Sequence, residues 1–252
     1  MGVVVVSPDA TRGGVKKYHG LPITPATAAV EAVAGGHAFL CFAHQQQVGL
    51  ALSVCSSVAL DNGAYPAWSS GKEITNWQPY YDWVASLMRH PAFDFAVIPD
   101  VIDGDEAAND ALLAEWPHGK IVGAPVWHMH ESIDRLRLMC EQWPRVCLGS
   151  SGEFATVGSK SWWARMSKAL DAVVDEHGFP ISKLHGLRML NPKVFSKLPL
   201  SSADSTNIGR NVGIDKRWST GAYPAPTKEA RARLMRQRSD LYNGAQHWEV
   251  EL

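Results

Sequence analysis

Six segments of this chain place acids, imidazoles or a glycine-flanked turn directly after an apolar run. They are Asp61-Asn62-Gly63-Ala64-Tyr65, Pro99-Asp100-Val101-Ile102-Asp103, Trp127-His128-Met129-His130, Gly149-Ser150-Ser151-Gly152-Glu153, His185-Gly186-Leu187-Arg188 and Ser201-Ser202-Ala203-Asp204. One Asp after a strand is ordinarily a helix cap or a turn residue. Carboxylates brought together behave differently, because each disfavours ionisation of the next, so one keeps a proton at neutral pH while another stays charged. A proton donor beside a charged nucleophile is what cleavage of a glycosidic bond at an anomeric carbon requires. The histidines His118, His128, His130 and His185 leave a second chemistry open, a metal-dependent hydrolase using His128 and His130 with Asp100 and Asp204.

Side chains this far apart in sequence converge only if the elements carrying them end on one face. Apolar runs at 3–6, 38–42, 58–60, 94–98, 121–126, 145–148, 184–188 and 200–203 predict eight strands. Between them, 24–35, 77–90, 105–116, 131–142, 160–177 and 191–197 have helical periodicity. Alternating strands and helices specify a parallel α/β fold. Eight strands fit a compact TIM-like (β/α)8 barrel, whose active residues sit at the carboxyl ends of several strands. A doubly wound open sheet fits the same alternation, but no Gly-x-Gly-x-x-Gly turn follows an early strand. The expected organisation is a catalytic barrel over 1–206 and a basic C-terminal extension, 207–252, packed on it. The first sixty residues are less regular, and Gln45-Gln46-Gln47 is assigned to no element.

A length of 252 residues with 46% apolar content accommodates one large domain. No long apolar run and no basic leader is present, so the expectation is a cytoplasmic protein without a membrane partner. Cys41, Cys55, Cys140 and Cys147 form no Cys-x-x-Cys pair and read as buried small hydrophobes, and no metal or other cofactor is expected. A net charge of −1 argues against nucleic acid, yet residues 207–238 carry eight Lys or Arg against two acids, leaving the rest acidic. A basic segment on an acidic body could grip nucleic acid through Arg210, Arg231, Arg233 and Arg236. A solvated basic helix explains the same charges.

These motifs, in this order, resemble the tRNA-guanine transglycosylases and their phage and bacterial DNA-modifying relatives. Leu60-Asp61-Asn62-Gly63-Ala64-Tyr65 looks like that family's D-S-G-G-[FY] segment, and Leu187 to Asn207 is similar to the stretch carrying its nucleophilic Asp. Pro99-Asp100 resembles its base-recognising Asp, and Gly149-Ser150-Ser151-Gly152-Glu153 its glycine-rich base-binding loop. The resemblance covers roughly residues 55 to 210; the zinc site of the tRNA enzymes has no counterpart, and the chain is shorter than they are. Both departures point to the DNA-modifying relatives, which replace guanine in DNA with a 7-deazaguanine derivative and so shield phage DNA from restriction.

The resemblance implies Asp204 as nucleophile and Asp61 as proton-transfer partner. It implies Asp100, or Asp103 if the register differs, on the guanine edge. Gly149, Ser150, Gly152, Glu153 and His128 would surround the base, with Tyr65 or Trp127 stacked on it. Alternatives kept open are exchange on tRNA, the metal-dependent hydrolase, and a nucleic-acid-binding protein without activity.

Overall fold

The computed structural model describes residues 14–214 and 225–249. Nine parallel strands run in the order β5-β4-β3-β2-β1-β9-β8-β7-β6. They are β1 (Lys16–Leu21), β2 (His37–Cys41), β3 (Ser57–Asp61), β4 (Phe93–Val97), β5 (Gly123–Ala124), β6 (Val126–His128), β7 (Arg145–Gly149), β8 (Lys183–Gly186) and β9 (Ser202–Ser205). The two ends of this order are one chain segment. Pro125 has no N–H to give to a ladder, so it splits a single stave into β5, which pairs with β4, and β6, which pairs with β7. The Pro125 carbonyl still accepts from the Cys147 N–H at 2.8 Å. The sheet therefore closes on itself as an eight-stave TIM barrel with helices outside, the expected fold.

Seven of the eight expected strands fall on these staves. The run at 3–6 lies outside the described residues, and the first stave is Lys16–Leu21, a polar-looking segment without an apolar run. Its inward Tyr18 packs with Phe39, Phe95 and His185 in the barrel interior, ring centroids 5.1–6.5 Å apart. The outward residues of the same staves, such as Leu40, Leu60, Trp127 and Leu148, build the second core beneath the helices. Gln47, from the unassigned Gln-rich stretch, bridges both backbone groups of Ile23 and ties the loop after β2 to the loop after β1.

The segment expected as an appended extension supplies the helix Lys228–Asp240, started by the Thr227 hydroxyl accepting from the Ala230 N–H. It lies against the first helix, Ala26–Val33, as the barrel's outer layer. Arg233 forks onto Glu31 at 2.8 Å, Arg236 donates to the Ala34 carbonyl, and Arg231 donates to the Ala225 and Val212 carbonyls. These arginines serve the packing of that helix. Lys216 and Arg217 lie outside the described residues. Among the described residues, no helix is long and apolar enough to cross a membrane.

The floor of the barrel is sealed by charge. Val58 pairs with Phe93 and Ala59 with Phe95, so Asp94 is the extra residue of a β-bulge. There its carboxylate accepts from Tyr18 Oη, Lys16 Nζ and Arg145 Nη2, and the Arg145 guanidinium lies 4.1 Å from the Phe95 ring. Although burial opposes it, the Arg145 charge leads a set of contacts that hold the Asp94 carboxyl far below its ordinary pKa. A depressed carboxyl contributes stability above its unfolded pKa and loses it as pH falls below. Asp94→Asn should cost about 3 kcal/mol at neutral pH, because it leaves a mostly buried guanidinium without its counter-charge. The difference in urea midpoints should shrink under acid, and a variant as stable as the parent at neutral pH would contradict this role.

Candidate active site

Side chains alternate in and out along a strand, so the last inward residue of each stave faces the barrel mouth. For β2, β3, β6, β7 and β9 these residues are Cys41, Asp61, His128, Gly149 and Asp204. All five line one cavity of about 350 Å³ at the carboxyl ends of the strands, together with Asn62, Tyr65, Asp100, Ser150, Arg188, Thr206 and Arg210. Asp61 and Asp204, distant in sequence, thus share one space.

Asp204 is buried, and its Oδ1 accepts from the Arg188 backbone N–H at 2.8 Å. His185, fully buried beneath it, places Nε2 3.3 Å from the same oxygen without hydrogen-bond alignment, while its Nδ1 meets Ser202 Oγ at 2.8 Å. Burial pushes the His185 pKa down, against the pull of Asp204. Asp61 behaves oppositely to a surface carboxylate. Desolvation raises its pKa to about 7, the Cys41 thiol and Gly63 N–H work against that rise, and the charges of Asp204 and Asp100 add to it. Cys41 pairs with Asp61 across the β2–β3 ladder, which puts the thiol beside the carboxyl. At neutral pH a large share of Asp61 therefore carries a proton.

Asp100 lies behind them with both oxygens engaged, Oδ1 by Asn62 Nδ2 at 2.7 Å and Oδ2 by His128 Nε2 at 2.9 Å. Asn62 is buried, also donates to the Ile98 carbonyl and accepts from the Ala64 N–H. Gly63 turns the chain there with φ 81°, a left-handed conformation that glycine adopts freely. At Gly149 a Cβ would stand 3.2 Å from His128 Nδ1, so the glycine leaves room for that imidazole. His128 is further held through its N–H on Glu131, a buried carboxylate paired with Arg135 at 2.8 Å and bonded by Asn109.

Not every expected residue joins the site. Trp127 points away from the cavity because it alternates with Val126 and His128, and its indole N–H donates to the Ser132 carbonyl. It offers no face to a ligand in the barrel. Asp103, Gly152 and Glu153 are exposed and do not line the cavity. Arg210 lines it; Arg231, Arg233 and Arg236 hold the outer helix as described. His130 bonds Ser151 Oγ and the Gly104 carbonyl, apart from the cavity. Among the described residues no three His, Cys, Asp or Glu side chains are grouped so as to hold a metal ion.

The sequence reading missed Cys41, Asn62, Glu131 and Arg188. For Cys41 the signal was present in the strand period, which turns it inward with Phe39 at the carboxyl end of β2.

The unfolded chain releases the Asp61 proton near the ordinary value of 3.8, the fold only at about 7. Between those values the folded state binds more protons, so stability falls as pH rises through that window. Asp61→Asn should remove this fall, so that urea midpoints of variant and parent diverge from about pH 4 to pH 7 in favour of the variant. Parallel curves would rule out a raised Asp61 pKa.

No protein-family model matches this chain, and no curated protein matches it. Among solved structures, a mutant tryptophan synthase alpha-subunit from the hyperthermophile Pyrococcus furiosus superposes with a TM-score of 0.50 at 10% identity. The match covers 90% of this chain and 96% of that one, and what the two share is the barrel.

Proposed function

We propose that the chain exchanges guanine in DNA for a 7-deazaguanine base through a covalent aspartyl–sugar intermediate. The reading is supported above all by one observation: Asp61, poised near neutrality, and Asp204, fixed by a backbone N–H, line the same cavity. An acid that keeps its proton beside a carboxylate that can attack is the pairing used in retaining glycosyl transfer. The resemblance of the motifs to guanine transglycosylases supplies the choice of base.

In this mechanism Asp204 attacks C1′ of a deoxyguanosine as the C1′–N9 bond breaks. The bonding electrons leave with guanine, which takes the Asp61 proton. The incoming 7-deazaguanine then gives its N9 proton to Asp61, attacks C1′ from the vacated face and releases Asp204. Two displacements preserve the anomeric configuration. The Arg188 N–H holds Oδ1 and leaves Oδ2 for the attack.

Tyr65 stacks on the base at the cavity wall, and the Gly149–Ser150 backbone serves guanine O6. A carboxylate oxygen can accept two hydrogen bonds, so Asp100 keeps capacity for the N1–H and amino edge while bound to Asn62 and His128. The cavity lies inside a barrel mouth, so the nucleotide enters unpaired or flipped. Arg210 at the rim, rather than the arginines of the outer helix, meets the flanking backbone.

The test is incubation with DNA, or separately with tRNA, and labelled guanine or 7-deazaguanines, followed by nucleoside analysis by mass spectrometry. Incorporation into DNA is the expected result; incorporation into tRNA alone, or none, overturns the reading. Asp204→Asn should abolish exchange and the denaturation-resistant DNA adduct, and Asp61→Asn should slow turnover about 10²- to 10⁴-fold. Full activity in either variant removes that residue from its role.

A further inference from the structure

Arg188 is the one described non-glycine residue with a left-handed backbone, at φ 59°. Arginine has no intrinsic preference for that conformation, and it persists only where the surroundings enforce it. Here the reason is local: the strained turn after β8 aims the Arg188 N–H at Asp204 Oδ1. The side chain has a separate task. Its guanidinium lies over the Tyr65 ring, 4.3 Å from the centroid, and both residues line the cavity. Tyr65 follows β3 and Arg188 follows β8, so the contact bridges opposite walls of the mouth.

This bridge covers the aromatic face on which a base would stack. The guanidinium has five N–H donors in a planar fork, and among the described residues none of them is paired with a carboxylate. The acids Asp61 and Asp204 lie at the carboxyl ends of β3 and β9 and Asp100 in the loop after β4, and Arg188 and Arg210 give the lining its arginine charge. A ligand that fits this distribution carries a heterocycle toward the acids and an anion toward the arginines.

We propose that Arg188 recognises a phosphate of the nucleotide whose base enters the cavity, releasing the Tyr65 face to that base as it takes the phosphate. This deepens the transglycosylase reading and rests on it. A free nucleoside must displace the guanidinium from the ring and gives it nothing in return. A phosphorylated one replaces a cation–π contact with a charge-assisted fork, the stronger interaction. Arg188 thereby selects nucleotides, and so nucleic acid, over free nucleosides. Its backbone holds the nucleophile while its side chain moves.

The experiment is calorimetric titration of the full chain with deoxyguanosine and with its 5′- and 3′-monophosphates. The parent should bind at least one monophosphate about tenfold more tightly than the nucleoside, by a margin that salt reduces. Arg188→Asn, whose side chain tolerates a left-handed backbone, should bring that ratio to about one. Arg188→Lys should give an intermediate ratio, since it keeps charge without the fork. Arg137→Ala, on an outer helix, should leave it at the parent value.

An undiminished ratio in Arg188→Asn, or no preference in the parent, overturns the proposal. So does loss of all binding in a folded Arg188→Asn, which makes the residue purely structural. If the parent exchanges guanine in DNA yet binds nucleoside and nucleotides alike, this inference fails and the proposed function stands. If no guanine nucleoside or nucleotide binds and no exchange occurs, both fail.

Discussion

Burial of Asp61 beside a second carboxylate, Asp204, makes its ionised form costly, and that constraint organises the mouth of this barrel. Asp61 resolves it by keeping its proton to about pH 7. The Arg188 N–H supports charge on Asp204, and Cys41 and Gly63 moderate the shift at Asp61. Without them desolvation would drive Asp61 further up and leave an acid too weak to give its proton to the leaving base. A group that must both give and take a proton works best when poised near the ambient pH. Asp100 belongs to the same field and adds to the rise at Asp61, while Asn62 and His128 occupy its oxygens.

The rest of the fold serves to hold this arrangement still. The interior below the acids is filled with Tyr18, Phe39, Phe95 and His185, so the cavity has a solid floor. Beneath that, the Asp94 bulge turns a carboxylate inward against Lys16, Tyr18 and Arg145 and closes the opposite end. The outer helices are anchored by their own caps, with the hydroxyls of Ser132, Ser159 and Thr227 accepting the first-turn N–H groups. The basic residues Arg231, Arg233 and Arg236 turn out to be part of this scaffold.

Much of this was legible in the residues. Runs such as Val58-Ala59-Leu60 and Val146-Cys147-Leu148 are apolar on both faces because barrel strands are buried on both, and they marked their staves to within a few positions. Period two then carried Asp61, His128, Gly149 and Asp204 to the mouth. The same period places Trp127 outside, although its neighbours in sequence, Val126 and His128, both face inward. β1 was invisible because Lys16, Lys17, Tyr18 and His19 are polar, their burial depending on partners far away in sequence such as Asp94 and Asp240. Charge counting along 207–238 could not reveal that Glu31 and the Ala34 carbonyl would meet those arginines. Arg188 was hidden for a similar reason, since its importance lies in a backbone angle and a ring across the cavity.

The most direct measurement is a pH titration of the aspartate side-chain carbons by NMR, in the parent and in Asp204→Asn. One carboxyl, assigned to Asp61 by its loss in Asp61→Asn, should titrate near 7 and move to lower pH once the charge at 204 is gone. An Asp61 signal that titrates in the ordinary aspartate range, or one indifferent to the substitution at 204, would contradict the claim that these two acids share one electrostatic site.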